Sequence, residues 1–308
     1  MHTSGFVSIL GRPNAGKSTL LNALVGQKVA IVTDKPQTTR TAIQGVLTTP
    51  ECQIVFVDTP GIHKSPSAIN KRMMDAVRSS LDERDLIIFM ADATHPFCEE
   101  DERALSILQR IQREGETAPP VILALNKIDA LAARHELLPL LTEYQKRYPF
   151  ESYFPVSAAK GDGLGKLKAD IFRLMPEGPE YFPADHFTDQ PARFIAAEFI
   201  REKLLLATRQ EVPHSVNVLI EKWEETPRLI RIYATIMVER DGQKAIVIGT
   251  KGAMLKQIGT LARADMEALF GTKIFLDLHV KVEPAWREKA AFLNALDWRT
   301  MAGRDEPQ

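Results

Sequence analysis

The chain has 308 residues, 44% of them hydrophobic and 26% charged, the balance of a globular protein long enough for about two domains with separate cores. A formal net charge of −1 excludes a global electrostatic pull toward nucleic acid, so any such binding must come from a local patch. Cys52 and Cys98, without CxxC spacing, argue against a disulfide framework or a zinc site, and no apolar run reaches the roughly 18 residues of a spanning helix. With the first strand read from Phe6, a soluble chain without a signal peptide, in a reducing cytosol, is expected.

Phe6, Val7, Ile9 and Leu10 make the short apolar run of a buried strand, and Leu20, Leu21, Leu24 and Val25 recur at helical spacing. Between them Gly11, Arg12, Pro13, Asn14, Ala15, Gly16, Lys17 and Ser18 spell GxxxxGK(S/T) in the strand, turn and helix setting that a phosphate-binding loop requires. Gly11 and Gly16 let consecutive N–H groups face one point, and the dipole of the following helix adds partial positive charge there. Lys17 is placed to reach the β- and γ-phosphates, and the Ser18 hydroxyl, next to Thr19, to ligate Mg²⁺.

From Val25 to Val46 the periodicity is lost, and the run from Thr33 through Thr38, Thr39 and Arg40 reads as a mobile polar loop. A threonine here, Thr38 or Thr39, ligates Mg²⁺ and senses the γ-phosphate if the loop is a nucleotide switch; otherwise it is a plain solvated loop. Ile54 to Val57 then form a buried strand ending in Asp58, Thr59, Pro60 and Gly61, at the strand edge where open α/β sheets bind ligands. Asp58 is read as part of the Mg²⁺ shell, and the Gly61 N–H as a partner of the γ-phosphate. Ile62, directly after that glycine, cannot orient a water by hydrogen bonding, which predicts slow intrinsic hydrolysis.

Two further apolar runs, Leu86 to Ala91 and Val121 to Leu125, read as parallel strands, and the second ends in Asn126, Lys127, Ile128 and Asp129. The Asp129 carboxylate accepts from the N1–H and exocyclic amine of guanine, a donor pair that adenine lacks, which argues against an ATPase. Asn126 and Lys127 brace that loop. After a strand near Tyr153 to Val156, Ser157 and Ala158 begin a small-residue loop whose N–H groups can approach the base oxygen. A helix from Leu164 to Met175 closes this part, and Pro176, Gly178, Pro179, Pro183 and Pro191 punctuate a linker.

The second half opens with an amphipathic helix, about Ala192 to Thr208, followed by two alternating strands around Val216 to Ile220 and Ile230 to Val238. Gly249, Thr250, Lys251 and Gly252 form a GxxG loop before a helix with Leu255, Ile258, Ala262, Met266 and Leu269 on one side, and a strand from Ile274 to Val282 follows. Helix, strand, strand, GxxG loop, helix, strand is the order of a KH domain with its extra helix first, in which the loop clamps the nucleic-acid backbone. A helix-initiating turn without a ligand is the alternative, and with it a C-terminal domain that docks a protein or dimerises.

Taken together, GRPNAGKS at 11–18, QTTR at 37–40, DTPG at 58–61, NKID at 126–129, SAAKG at 157–161 and IGTKG at 248–252 resemble the Era family of bacterial GTPases from Gly5 to about Trp286. A single P-loop disfavours the related tandem GTPases. The resemblance implies an α/β P-loop GTPase domain at 1–176, mostly parallel in its sheet with helices on both faces. A linker at 177–190, an α+β type II KH domain at 191–285 and a C-terminal helix and tail at 286–308 complete the expected organisation. It further implies a GTP-hydrolysing switch, with GTP or GDP and Mg²⁺ bound, that binds 16S ribosomal RNA near its 3′ end and assists assembly of the 30S ribosomal subunit. A monomer in the cytoplasm with loose peripheral association with the inner membrane is the corresponding expectation. Nucleotide contacts are expected from Gly11 to Thr19, Thr38, Thr39, Asp58 to Ile62, Asn126, Lys127, Asp129, Ser157 and Ala158. Catalysis is expected from Lys17, Thr39, Asp58, Gly61 and Asn14, with a potassium ion held by Asn14, and metal ligation from Ser18, Thr39 and Asp58. Thr250 departs from the asparagine expected of many relatives, which touches fine RNA contacts and not the binding mode.

Overall fold

The computed structural model describes residues 2–62, 68–81, 84–113, 118–208 and 212–289. In chain order the first half contains β1 (Thr3–Gly11), α1 (Lys17–Val25), β2 (Ile43–Thr48), β3 (Cys52–Asp58), α2 (Ala68–Ser79), β4 (Leu86–Asp92), α3 (Glu99–Arg113), β5 (Val121–Asn126), α4 (Leu137–Arg147), β6 (Ser152–Pro155) and α5 (Leu164–Leu174). The second contains α6 (Ala192–Ala207), α7 (Val212–Ser215), β7 (Asn217–Thr226), β8 (Leu229–Val238), α8 (Asp241–Ile248), α9 (Ala253–Phe270) and β9 (Lys273–Val282). Two compact units result: one from Met1–Ala30, Thr39–Pro66 and Asn70–Asp189, the other from Ile31–Thr38, Ser67–Ile69 and Gln190–Gln308.

The first unit is built on a six-stranded sheet of order β2-β3-β1-β4-β5-β6, parallel except for the β2–β3 pair. Every residue of β3, β4 and β5 is buried, which is why Ile54 to Val57, Leu86 to Ala91 and Val121 to Leu125 are unbroken apolar runs that do not alternate, with the polar Asp58, Asp92 and Asn126 at the strand ends. Register sets Gly11 of β1 beside Met90 of β4, and Asp92 of β4 beside Asn126 of β5, so the phosphate loop and the base loop leave the sheet at neighbouring strand ends.

Three features depart from the sequence expectations. β2 begins inside the stretch read as aperiodic and runs past its end at Val46; only its Ile43, Gly45 and Val46 are buried, and an edge strand half-covered in this way carries a weak apolar signal. Residues 177–189, expected as linker, belong to the first unit: the Val46 N–H donates to the Phe187 carbonyl at 2.9 Å, the Thr188 hydroxyl to the Gln44 carbonyl at 2.7 Å, and Gln53 Nε2 to the Phe182 carbonyl at 2.8 Å. Prolines there rule out helix and ladder, not packing. Finally, Ile31–Thr38 clusters with the second unit.

In that second unit α6 and α9 cover one face of the sheet β7-β8-β9, in which β8 runs antiparallel to β7 and parallel to β9. Ile200 and Leu204 of α6 meet Ile232 and Ile236 of β8 and Ile258 and Met266 of α9 in one core. α8 is not part of the order expected from sequence; its Ile246, Val247 and Ile248 are β-branched, a run with little helical preference. The Gln243 side chain decides otherwise, accepting from the Glu239 and Arg240 N–H groups at 2.9 and 3.1 Å and so capping a helix start. A turn at Trp286–Glu288 follows β9, with the buried Trp286 indole donating to the Ser215 carbonyl at 2.8 Å. Most of the C-terminal helix and tail expected at 286–308 lies outside the described residues.

Candidate functional site

Four of the five non-glycine residues with positive φ among the described residues fall in the motifs: Asn14, Gln37, Lys127 and Lys251, at φ 59°, 60°, 69° and 52°. Backbone held in this sparsely populated region marks loops shaped for something other than packing. Gly16 N-caps α1 at φ 99°, and a Cβ there would stand 2.3 Å from Asn126 Nδ2. The same Nδ2 donates to the Ala15 carbonyl at 2.8 Å, while Asn126 Oδ1 accepts from the Ala158 N–H at 2.9 Å. One buried amide therefore ties the phosphate loop, the base loop and the small-residue loop together, and the Ala158 N–H expected at the base oxygen serves this brace.

Lys17 is buried, and its ammonium donates to the Gly11 and Arg12 carbonyls at 3.0 and 2.9 Å, inside the curl of the loop. Burial lowers its pKa to about 8, with the Asp58 carboxylate opposing. Asp58 is fully buried and pushed up to about 6 by burial, with Lys17, Ser18 and Thr39 pulling the other way. Ser18 Oγ donates to Asp58 Oδ2 at 2.5 Å and lies 2.9 Å from Thr39 Oγ1, which is 3.3 Å from the same carboxylate oxygen. Asp58 Oδ1 is buried without a hydrogen-bond partner. Two hydroxyls and a carboxylate with one unpartnered oxygen make an all-oxygen donor set next to a phosphate loop, and that suits Mg²⁺, which takes few protein ligands and completes its shell with phosphate oxygens and water.

Thr38 points elsewhere. Its hydroxyl is 2.6 Å from that of Thr33 and donates to the Lys35 carbonyl at 2.7 Å, and its own carbonyl accepts from Arg201 within the second unit. The two threonines left open by the sequence thus separate into one beside Ser18 and Asp58, Thr39, and one that shapes the loop, Thr38. In the Asp58 loop, the Thr59 hydroxyl donates to the Ile9 carbonyl at 2.8 Å and the Ile62 side chain is buried in the core with Leu10, Val77 and Leu81. Their side chains are committed to the fold, so only their backbone is left to face a nucleotide. Gly61 lies against the phosphate loop, where a Cβ would stand 3.0 Å from Pro13 Cα. Asp129 is exposed in a 3₁₀ turn, Ile128–Ala130, whose Ile128 N–H donates to the Val156 carbonyl at 3.3 Å.

In the second unit, Gly249 and Gly252 take φ 71° and 78° around an exposed Thr250 and Lys251, and a Cβ on Gly249 would meet Met254 Cβ at 2.7 Å. Beside the loop runs a groove of about 480 Å³ lined by Gly252, Leu255, Lys256, Gly259, Thr260, Arg263, Leu276 and Leu278. Apolar walls with a lysine and an arginine along the rim suit splayed bases on a phosphate backbone. Lys256, Thr260 and Arg263 were not singled out from sequence, although their spacing of four and three residues puts them on one helix face.

The chain matches the family model of 50S ribosome-binding GTPases over residues 6–127 and that of KH domains over 211–287. It is 49% identical to the GTPase Era of Geotalea daltonii over 291 residues, covering 94% of this chain and 96% of that protein. A crystal structure of Era in complex with MgGDPNP and nucleotides 1506–1542 of 16S ribosomal RNA is similar at a TM-score of 0.91 and 40% identity, covering 97% of this chain and 99% of that one. A single-substitution variant of Aquifex aeolicus Era bound to GDP·AlF4⁻ is similar at a TM-score of 0.90 and 40% identity, over 96% and 99%. With the phosphate loop, the Asp58 loop, the base loop and the GxxG groove all in place on the matched segments, the chain belongs to the Era family of GTPases.

Proposed function

We propose that this chain is a GTP-hydrolysing switch whose KH domain binds small-subunit ribosomal RNA near the 3′ end and which acts in assembly of the 30S subunit, as a monomer in the cytoplasm with peripheral inner-membrane contact. The observation that carries the RNA part is the likeness, over nearly the whole chain, to an Era structure holding both MgGDPNP and a 16S fragment. The basic-rimmed groove beside Lys251 supports it and disfavours a protein-docking use of the same face. Bound Mg²⁺ would neutralise charge developing on the phosphates. Lys17 would add a second positive charge to the phosphates, and the loop N–H groups between Gly11 and Ser18 would donate to them. Because Ile62 is in the core, no side chain directly after Gly61 orients the attacking water, and intrinsic turnover should be slow.

Crosslinking the chain in cell extract and sequencing the attached RNA should recover the 3′ region of 16S ribosomal RNA, and the chain should co-sediment with 30S particles; recovery of unrelated RNA, or none, rules the reading out. The hydroxyl geometry adds a second test. Thr39→Ala should raise the Mg²⁺ concentration for half-maximal turnover by roughly tenfold or more, the scale on which partners of a metal site act, while Thr38→Ala leaves that midpoint near wild type. The reverse order would move the ligand role to Thr38.

A further inference from the structure

We propose that Asp92, a residue of none of the nucleotide-binding motifs, is a positioning residue for guanine nucleotides: its buried carboxylate clamps Arg12 of the phosphate loop and Lys127 of the base loop into one charge cluster. The topology makes this possible. β1, β4 and β5 are adjacent, and Arg12, Asp92 and Lys127 each sit at or just beyond the C-terminal end of one of them. Lys127 Nζ lies 2.6 Å and Arg12 NH2 3.4 Å from the same oxygen, Asp92 Oδ2. The other oxygen accepts from the Thr94 N–H at 3.0 Å and the Thr94 hydroxyl at 2.6 Å, so the carboxylate is fixed from both sides. An exposed His95 is 3.6 Å from Oδ2.

Arg12 has a second acid. Its NH1 stands 3.8 Å from Asp101 Oδ2 and donates to Cys98 Sγ at 3.3 Å, and Asp101 in turn accepts from the Cys98 N–H at 3.1 Å. The Asp92 and Asp101 side chains are 4% and 2% exposed, Arg12 10% and Lys127 37%, so two buried anions face one buried cation and one that keeps part of its surface in water. In such a cluster an unmatched charge is costly, and removing one partner displaces the others. Lys127 is also held at φ 69°, a strained conformation for a lysine, which its ion pair with Asp92 helps to maintain. The four-carbon stem of Lys127 is thereby stretched between two fixed ends beside Asp129, a surface on which the face of a purine can lie.

This inference rests on the GTPase reading, and its consequence is specific. Asp92 touches none of Ser18, Thr39 or Asp58, so its loss should weaken GDP and GTP equally and spare the chemical step. For Asp92→Asn in the full chain, GDP and GTP affinities should each fall at least tenfold and KM rise in parallel, with kcat within about twofold of wild type. Lys127→Met keeps the stem and loses the charge; it should lose a similar factor, and the double variant should lose little more than either single one. A merely structural role would lower thermal stability without this KM-against-kcat split or the non-additivity. Wild-type GDP affinity in Asp92→Asn, or in Lys127→Met should Asp92→Asn not fold, would overturn the clamp, as would fully multiplicative losses in the double variant. Failure of the wild-type chain to bind GDP would instead overturn the GTPase reading.

Discussion

Asp129→Asn should transfer the preference of the nucleotide site from guanine to xanthine. In the base-reading role expected of Asp129, the carboxylate would accept two hydrogen bonds, from N1–H and from the exocyclic amine of guanine. Xanthine keeps the N1–H but carries an oxygen in place of the amine, so an asparagine amide accepts from the first and donates to the second. Against GTP the variant presents a donor to a donor and loses two charge-assisted bonds, which corresponds to a loss of affinity on the order of a thousandfold. Position is preserved because the loop is held by backbone bonds: Ala130 N–H to the Lys127 carbonyl at 3.0 Å and Ile128 N–H to the Val156 carbonyl at 3.3 Å. Asp129 is exposed, so folding should be unaffected. Competition between GTP and XTP on the variant measures the switch, and a variant that still prefers GTP removes Asp129 from base reading.

The second large effect belongs to the GxxG loop. Replacing Thr250 and Lys251 together by aspartates should abolish RNA binding, by on the order of a hundredfold or more in affinity, while GTP turnover stays at its basal rate. Both side chains are exposed, and aspartate is among the residues that best tolerate the left-handed backbone Lys251 adopts at φ 52°. On the reading in which the loop clamps the RNA backbone and the groove formed by Leu255, Gly259, Arg263 and Leu278 takes the bases, affinity should fall for all sequences together without a change in preference. Lys251→Ala alone should reduce the salt dependence by about 0.7, the slope of one single-strand phosphate contact. Circular dichroism and turnover on the double variant exclude unfolding; wild-type RNA affinity would then leave the loop a plain turn.

Much of this architecture was legible in sequence because the motifs are local. A phosphate loop, an acid at a strand end and a GxxG turn each occupy a few consecutive residues whose types are dictated by backbone conformation and ligand chemistry. What escaped depends on neighbours in space. β2 takes its stability from pairing with β3, from Ile43 opposite Asp58 to Thr48 opposite Gln53, and little from its own composition. α8 is decided by the Gln243 side chain against the β-branched run it precedes. The choice between Thr38 and Thr39 turns on a rotation of adjacent residues that no spacing rule records. Asp92 reads as the polar end of a buried strand until β1 and β5 are placed on either side of it.

The stretch after α5 carries a further consequence, for how the first unit withstands self-association. β2 is an edge strand, and an open edge offers unpaired N–H and C=O groups to any other extended chain, including a second copy of itself. Phe187 and Thr188 occupy part of that edge through Val46 and Gln44, and Tyr181 and Phe182 are held beside it by the Gln53 side chain. A nucleotide-binding domain cut at residue 176 would lose this cover and present β2 as a template for intermolecular pairing, whereas one cut after Asp189 would keep it. The segment works as a built-in guard on the sheet, and its prolines, which cannot extend a ladder, keep the guard from becoming a new edge.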